Sequence, residues 1–313
     1  MKMRNSTLYS TFVNITGEDN VLVDEPMSLH TTFRVGGPAD FFLMPKSAEE
    51  AVLLIEVCRD SGCPFFVCGN GSNLLVSDKG IRGAVIRIGK QMGRIETEDN
   101  EITAEAGASL AAIAQAALAA GLAGFEFAAG IPGTLGGACV MNAGAYGGEM
   151  KQVLTSVRAI SLTGSAESAA EAIVEIPAGE LGLGYRTSCL QKNGMIVVSA
   201  RMRLREGDPE EITALMDDLR ARRLDKQPLD LPSAGSTFKR PEGHFAGKLI
   251  MDAGLRGYRV GGASVSEKHC GFVVNDGGAT AEDILTLIDE VRERVFREFG
   301  VTLEPEVKFV GER

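Results

Sequence analysis

Four stretches of this chain repeat apolar residues at helical spacing, each with its own start or stop signal. In SAEEAVLLIEVCRDSG, Ser47 with Glu50 makes a capping box, Leu53, Leu54 and Val57 form the apolar stripe, and Gly62 can end the helix. ASLAAIAQAALAAGL is an alanine-rich helix ending at Gly121. Asp208 as N-cap, Pro209 at the first helical position and Glu211 at the third start a helix that runs through Leu224. The last helix spans Thr280 to Phe299, with Gly300 behind it.

Period-two patterns occupy much of the remainder. Strands are predicted at PFFVCG and GAVIRI, and Val153 to Leu204 is strand-rich. There Ile196, Val198, Ala200, Met202 and Leu204 alternate against Arg201, Arg203 and Arg205, as in a half-buried strand. SAGSTFKRPEGHFAGKLI reads as a loop, and short strands follow around RVGGASVS and GFVVND. Near the C-terminus, alternation through Val301, Leu303, Pro305, Val307 and Phe309 places Glu304 and Glu306 on one face. The elements predict an α+β architecture in several small layers, with a domain boundary at REGDPEE.

Glycine changes this picture: 38 of 313 residues are glycine, well above the usual share of about 7%. GNGSNL, residues 69–74, starts like a dinucleotide fingerprint, but Leu74 replaces the third glycine and a strand follows in place of a long helix. What remains is a turn whose N–H groups, with Ser72 and Asn73, can form an anion nest. GIPGTLGGACVMNAGAYGGE holds seven glycines in twenty residues, a density at which no regular helix is expected, interleaved with Thr134, Asn142 and Tyr146. TFRVGGPAD adds a third turn with Arg34. Three such loops point to one large anionic cofactor.

The chain length favours two or three domains, and 44% hydrophobic with 24% charged residues is ordinary globular composition. A net charge of -10 argues against a nucleic-acid or anionic-membrane surface over the whole molecule, so an anionic ligand needs a local basic pocket. The first residues lack the apolar run of a signal peptide and no later stretch is long enough to span a bilayer, which predicts a cytoplasmic protein. Six cysteines form no CxxC pair and are expected to be buried free thiols. His30, His244 and His269 are too few and scattered for a metal site or a Ser-His-Asp arrangement, and no metal is expected.

TFRVGGPAD, GNGSNLLVSD, GIPGTLGGACVMNAGAYGGE, GYRTS, GSTFKRP, GGASVSEKHCGFVVN and LEPEV occur in this order, and together they resemble the UDP-N-acetylenolpyruvoylglucosamine reductase family over residues 28–311. The resemblance implies a two-part FAD-binding fold of the vanillyl-alcohol oxidase / p-cresol methylhydroxylase type, over 1–83 and 84–206. It also implies an α+β substrate-binding domain over 207–300 and a C-terminal strand, 301–313, returning to the active site. Non-covalent FAD, NADPH as donor and a UDP-sugar bearing an enolpyruvyl ether are the implied cofactors and substrate; a monomer is expected. The FAD contacts implied are Arg34, Gly69, Asn70, Gly71, Ser72, Asn73, Gly107, Gly130, Pro132, Gly133, Thr134, Gly137, Asn142, Ala143, Gly144 and Tyr146.

The implied catalytic trio is Arg186 of LGLGYRTS, Ser236 of SAGSTFKRP and Glu306 of LEPEV. Spacing alone leaves Glu304 and Glu306 equivalent; the resemblance selects Glu306. In the implied chemistry Arg186 and Glu306 bind and polarise the substrate carboxylate and Ser236 protonates the α-carbon, activated by Lys248 or a water relay. Lys239, Arg240, Lys248 and Lys268, with Arg256 and Arg259, are candidates for the diphosphate. Part of the family closes a tyrosine-bearing loop after the arginine motif and reads FKNP where this chain has FKRP; KNGMIVVSA leaves little room for that loop, so the chain resembles the shorter subtype. Two other readings stay open on sequence: an FAD oxidase or dehydrogenase of the same fold, and a catalytically silent flavin- or nucleotide-sugar-binding regulator.

Overall fold

The computed structural model describes residues 2–162 and 168–312; Met1 and Arg313, at the outer ends of the expected domain ranges, and 163–167 lie outside the described residues. Two compact units divide the chain. Met1–Leu22, Phe41–Asn70 and Gly83–Arg222 form the first, and Val23–Asp40, Gly71–Arg82 and Arg223–Arg313 the second.

The first unit is built on a five-stranded antiparallel sheet in the order Ile173–Pro177, Leu154–Ile160, Ile196–Arg203, Glu101–Glu105, Ile95–Glu98. Ile196–Arg203 follows the predicted alternation only in its later half, with Ala200 and Met202 buried and Arg201 and Arg203 exposed, while Val197 is buried along with Ile196 and Val198. Phe65–Cys68 runs parallel to the later part of Ile81–Arg87, Phe65 facing Ala84. The helix Ala48–Ser61 starts at Ser47, whose hydroxyl accepts from the Glu50 N–H at 3.2 Å, and stops at Gly62 with φ 63°. Its capping box is not reciprocal, because the Glu50 carboxylate accepts from the Lys46 N–H instead. Its core face is also wider than the stripe read from sequence: Ala51, Val52, Leu54, Ile55 and Cys58 are buried, while Leu53 is 43% exposed.

Two further elements differ from the sequence reading. The glycine-rich segment contains a regular helix, Leu135–Met141, whose Leu135, Ala138 and Cys139 enter the core; burial of that face outweighs the weak propensity of Gly136 and Gly137. A Cβ at Gly136 would sit 3.0 Å from that of Ala106, so the glycine permits the close packing. The N-terminal stretch forms a helix, Lys2–Thr16, that buries Phe12 edge-on against Phe41 with ring centroids 5.3 Å apart.

In the second unit a three-stranded antiparallel sheet, Arg259–Val260, Ala263–Val265 and Val273–Asn275, is packed by the helix Ala281–Phe299. That helix carries a full capping box between Thr280 and Asp283, ends at Gly300 in the left-handed region, and buries Ile284, Leu287, Ile288, Val291 and Val295 at helical spacing. The loop expected over 233–250 gives way to a helix, Ala246–Asp252, because Ala246, Leu249 and Ile250 find the core. Only Lys308–Val310 forms a C-terminal strand, parallel to Leu74–Val76. Residues 301–307 hold an isolated bridge, Phe238 to Pro305, since Pro305 has no N–H to continue a ladder.

Cys58, Cys68, Cys139 and Cys270 are buried, and burial pushes the Cys68 and Cys139 thiols up to about 12. Among the described residues no helix is long and apolar enough to cross a membrane, and no cluster of three or more His, Cys, Asp or Glu side chains could hold a metal ion.

Candidate active site

Among the described residues six other than glycine hold positive φ, and four of them are Arg34, Asn142, Tyr146 and Arg186, all singled out from sequence. Each such position costs an L-residue roughly 1 kcal/mol or more, so the surrounding structure must hold it in place.

In the first unit the GNGSN and GIPGT segments meet directly. A Cβ at Gly69 would lie 2.3 Å from Thr134 Oγ1, so any larger residue there must displace the threonine side chain. Gly107 is equally constrained, its Cβ direction running into the Gly89 carbonyl at 1.9 Å. Gly137 is exposed and has only Thr134 Oγ1 at 4.0 Å, so its face beside Thr134 is open to a close-lying ligand. Gly144–Ala145 and Gly148–Glu149 pair as a hairpin whose two turn residues, Tyr146 and Gly147, have φ 53° and 88°, the signature of a type I′ turn. Tyr146 is thereby presented at the tip, 43% exposed. The backbone of Ala143 is spent within the protein, its N–H donating to Ala138 and its carbonyl accepting from Met150.

Asn142 is 1% exposed and both polar atoms of its carboxamide are hydrogen-bonded. Nδ2 donates to Glu149 Oε2 at 3.0 Å and to the Gly184 carbonyl at 3.1 Å, and Oδ1 accepts from the Lys151 N–H at 2.9 Å. Gly184 begins the tight turn that carries Arg186: Gly184 and Thr187 exchange backbone hydrogen bonds, and Arg186 sits inside with φ 54°. Just beyond, buried Ser188 donates to the Val140 carbonyl at 2.6 Å and caps the short helix Cys189–Lys192. The Arg186 guanidinium lies over the exposed Tyr185 ring, 5.2 Å from its centroid.

In the second unit, Gly71 turns with φ 62° where a Cβ would strike the His30 carbonyl at 2.1 Å, and the Gly71 carbonyl accepts from the Thr32 N–H. The Thr32 hydroxyl is buried with no hydrogen-bond partner among the described residues, a group that a bound cofactor would satisfy. Asn73 braces the C-terminal segment: its Nδ2 donates to the Glu306 carbonyl at 3.0 Å and its own carbonyl accepts from the Lys308 N–H.

Ser236 and Glu306 lie on one short ribbon. The Lys239 N–H donates to the Glu304 carbonyl and the Glu306 N–H to the Thr237 carbonyl, on either side of the Phe238–Pro305 bridge. Ser236 is exposed, and Gly235 before it has φ 75° with open space where a Cβ would be. The two glutamates that period-two spacing left equivalent now differ: Glu304 is exposed and ion-paired with Lys239, whereas Glu306 is half-buried.

The basic candidates separate in the same way. Lys248 pairs with Asp252 on the surface of its own helix at 2.6 Å, Arg259 pairs with Asp276, Arg256 donates to the Glu267 carbonyl, and Lys268 Nζ donates to the Leu224 carbonyl at 2.6 Å. Arg240 stacks on the exposed Phe245 ring, 4.5 Å from its centroid. Crowding by protein first and the Lys239 ammonium second hold Lys308 below the ordinary lysine value.

In the first unit the glycine-lined wall beside Thr134 and the tyrosine-tipped hairpin suit a large ligand with a phosphate tail, and the residues present fit FAD. Residues 39–169 match the family described as FAD binding domain. A 4-ethylphenol oxidase from Gulosibacter chungangensis shares the fold at TM-score 0.50 and 15% identity, over 97% of this chain and 65% of that one. The chain is thus an FAD-dependent oxidoreductase with the two-part FAD-binding fold expected from sequence and an α+β C-terminal domain. Residues 227–310 match the family described as UDP-N-acetylenolpyruvoylglucosamine reductase, C-terminal domain. The reductase of that name from Clostridioides difficile (strain 630) is 49% identical over 310 residues, covering 99% of this chain and 100% of its own. The crystal structure of the Thermus caldophilus reductase superposes at TM-score 0.75 with 37% identity, over 92% of this chain and 97% of that one. The chain belongs to the UDP-N-acetylenolpyruvoylglucosamine reductase family.

Proposed function

We propose that this chain reduces UDP-N-acetyl-3-O-(1-carboxyvinyl)-glucosamine to UDP-N-acetylmuramate, with NADPH as electron donor, in peptidoglycan precursor synthesis. Family membership across nearly the whole chain is the observation that carries this reading. The protein acts as a cytoplasmic monomer and needs neither nucleic acid nor membrane.

FAD, when bound, supplies the hydride relay between the nicotinamide and the vinyl carbon of the substrate. In the first unit the wall beside Gly69, Thr134 and Gly137 and the Tyr146 hairpin would hold it. As hydride reaches the terminal vinyl carbon, negative charge spreads from the α-carbon into the carboxylate. Arg186, fixed in its turn, receives that carboxylate through its planar guanidinium fork. Glu306 polarises the developing enol, and the Ser236 hydroxyl delivers a proton to the α-carbon. Lys239, on the ribbon of Ser236 and Glu306, would receive the diphosphate.

An anaerobic absorption titration tests the reading. The purified flavoprotein should bleach with NADPH and recover its flavin band with the enolpyruvyl UDP-sugar. Recovery with oxygen but not with the sugar would replace the reductase by an oxidase of the same fold.

A further inference from the structure

The buried carboxamide of Asn142 joins two strained segments that no sequence pattern connects. On one side, through Glu149 and the Lys151 N–H, it fixes the end of the hairpin that presents Tyr146. On the other, through the Gly184 carbonyl, it fixes the turn that presents Arg186. Ser188 ties the far side of that turn to the same helix terminus, at Val140. Arg186 holds φ 54° with no glycine or asparagine to ease it, and a turn in that state stays defined only where its ends are held. Asn142 itself holds φ 46° at the C-cap of Leu135–Met141, so a left-handed cap residue with a carboxamide is what the position requires.

We propose that Asn142 and Ser188 are positioning residues that set Arg186 for the substrate carboxylate, with Asn142 also tying the Arg186 turn to the Tyr146 hairpin. The proposal rests on the reading that Arg186 receives that carboxylate. A guanidinium that drifts by an ångström loses its paired hydrogen bonds, and misplacements of this size cost on the order of 100-fold. The function of Asn142 is then separate from its backbone: glycine keeps the left-handed cap at no strain and removes only the three hydrogen bonds.

The test is an equilibrium binding comparison on the holoenzyme with two ligands, the enolpyruvyl UDP-sugar and UDP-N-acetylglucosamine, which lacks the carboxylate. Asn142→Gly and Ser188→Ala should each weaken the first between about 10-fold and 100-fold and leave the second within about twofold. In an Arg186→Gln background neither change should weaken binding further, a non-additivity that a general loss of structure does not produce. Asn142→Gly alone should also loosen FAD, read as flavin fluorescence on dilution, whereas Ser188→Ala should not.

If Arg186→Gln weakens both ligands equally, the reading of Arg186 itself falls. If Arg186→Gln discriminates and both positioning variants leave the enolpyruvyl ligand unaffected, or act additively with it, the positioning proposal falls while the reading stands. Should Asn142→Gly fail to fold, Ser188→Ala carries the same comparison, since it leaves the Asn142 cap and the Tyr146 hairpin untouched.

Discussion

The Glu306 N–H donates to the Thr237 carbonyl at 2.8 Å, and that bond lays the segment of Ser236 against the segment of Glu306 in a ribbon also clamped by Asn73. The acid and the hydroxyl are therefore held by backbone bonds that side-chain changes leave intact. Ser236→Ala and Glu306→Gln should each slow flavin reoxidation by the enolpyruvyl substrate by about 10²- to 10⁴-fold, with flavin reduction by NADPH near normal. Glu304→Gln breaks only an exposed ion pair and should change either rate by less than about threefold. Stopped-flow absorbance of the two half-reactions checks this. Equal slowing of both by Ser236→Ala would remove Ser236 from the protonating role.

Arg186→Lys keeps the charge and the left-handed backbone cost but replaces a planar fork by a point donor. We expect weaker binding of the enolpyruvyl ligand by about tenfold or more and slower reoxidation, with an unchanged melting temperature and unchanged FAD affinity. A lysine variant as fast and as tight as the parent would show that the fork makes no bidentate contact.

Much of this architecture was legible where local chemistry and packing agree. Ser47, Gly62 and Gly300 mark helix ends in the sequence and cap the same helices in the structure, whereas the box between Thr280 and Asp283 emerges only there. The Leu135–Met141 helix was not legible, because Gly136 and Gly137 oppose it within a glycine-dense segment and only the fit of Leu135, Ala138 and Cys139 into the core decides otherwise. Leu53 illustrates the same limit, since an apolar residue on the flank of a stripe faces solvent once a neighbour fills the core. Candidate site residues came from motif order, yet what holds them did not. The bond from Asn142 to Gly184 spans 42 residues, and that of Asn73 to Glu306 spans 233, distances at which no periodicity carries information.

Gly69→Ala tests whether the contact between two glycine-rich segments governs FAD binding. The added methyl would lie 2.3 Å from Thr134 Oγ1 and 3.4 Å from Thr134 Cβ, so something must shift. Overpacking of this kind costs about 1–3 kcal/mol, and the variant should melt lower and release FAD more readily. Thr134→Ala in the same chain removes the hydroxyl and should restore much of the loss, measured by thermal unfolding and flavin fluorescence. Failure of that rescue would mean the strain lies elsewhere.

The last expectation concerns pH. His269 packs edge-on against Phe272 with centroids 5.1 Å apart, and its Nδ1 accepts from the Gly271 N–H at 3.1 Å, which places the proton of the neutral ring on Nε2. The Gly271 carbonyl in turn accepts from the Thr237 N–H, next to Ser236. Burial holds His269 below its ordinary value of 6.5. The unfolded chain therefore binds this proton more readily than the folded one, and the stability tied to a neutral His269 is complete above about pH 6.5 and declines as the pH falls toward the folded-state value. Asn can present an acceptor to the Gly271 N–H without titrating. His269→Asn should consequently lose less melting temperature than the parent between pH 7 and pH 5 in a scan at fixed ionic strength. Parallel slopes for the two proteins would show that protonation of His269 is not coupled to folding, and that the acid sensitivity arises from other groups.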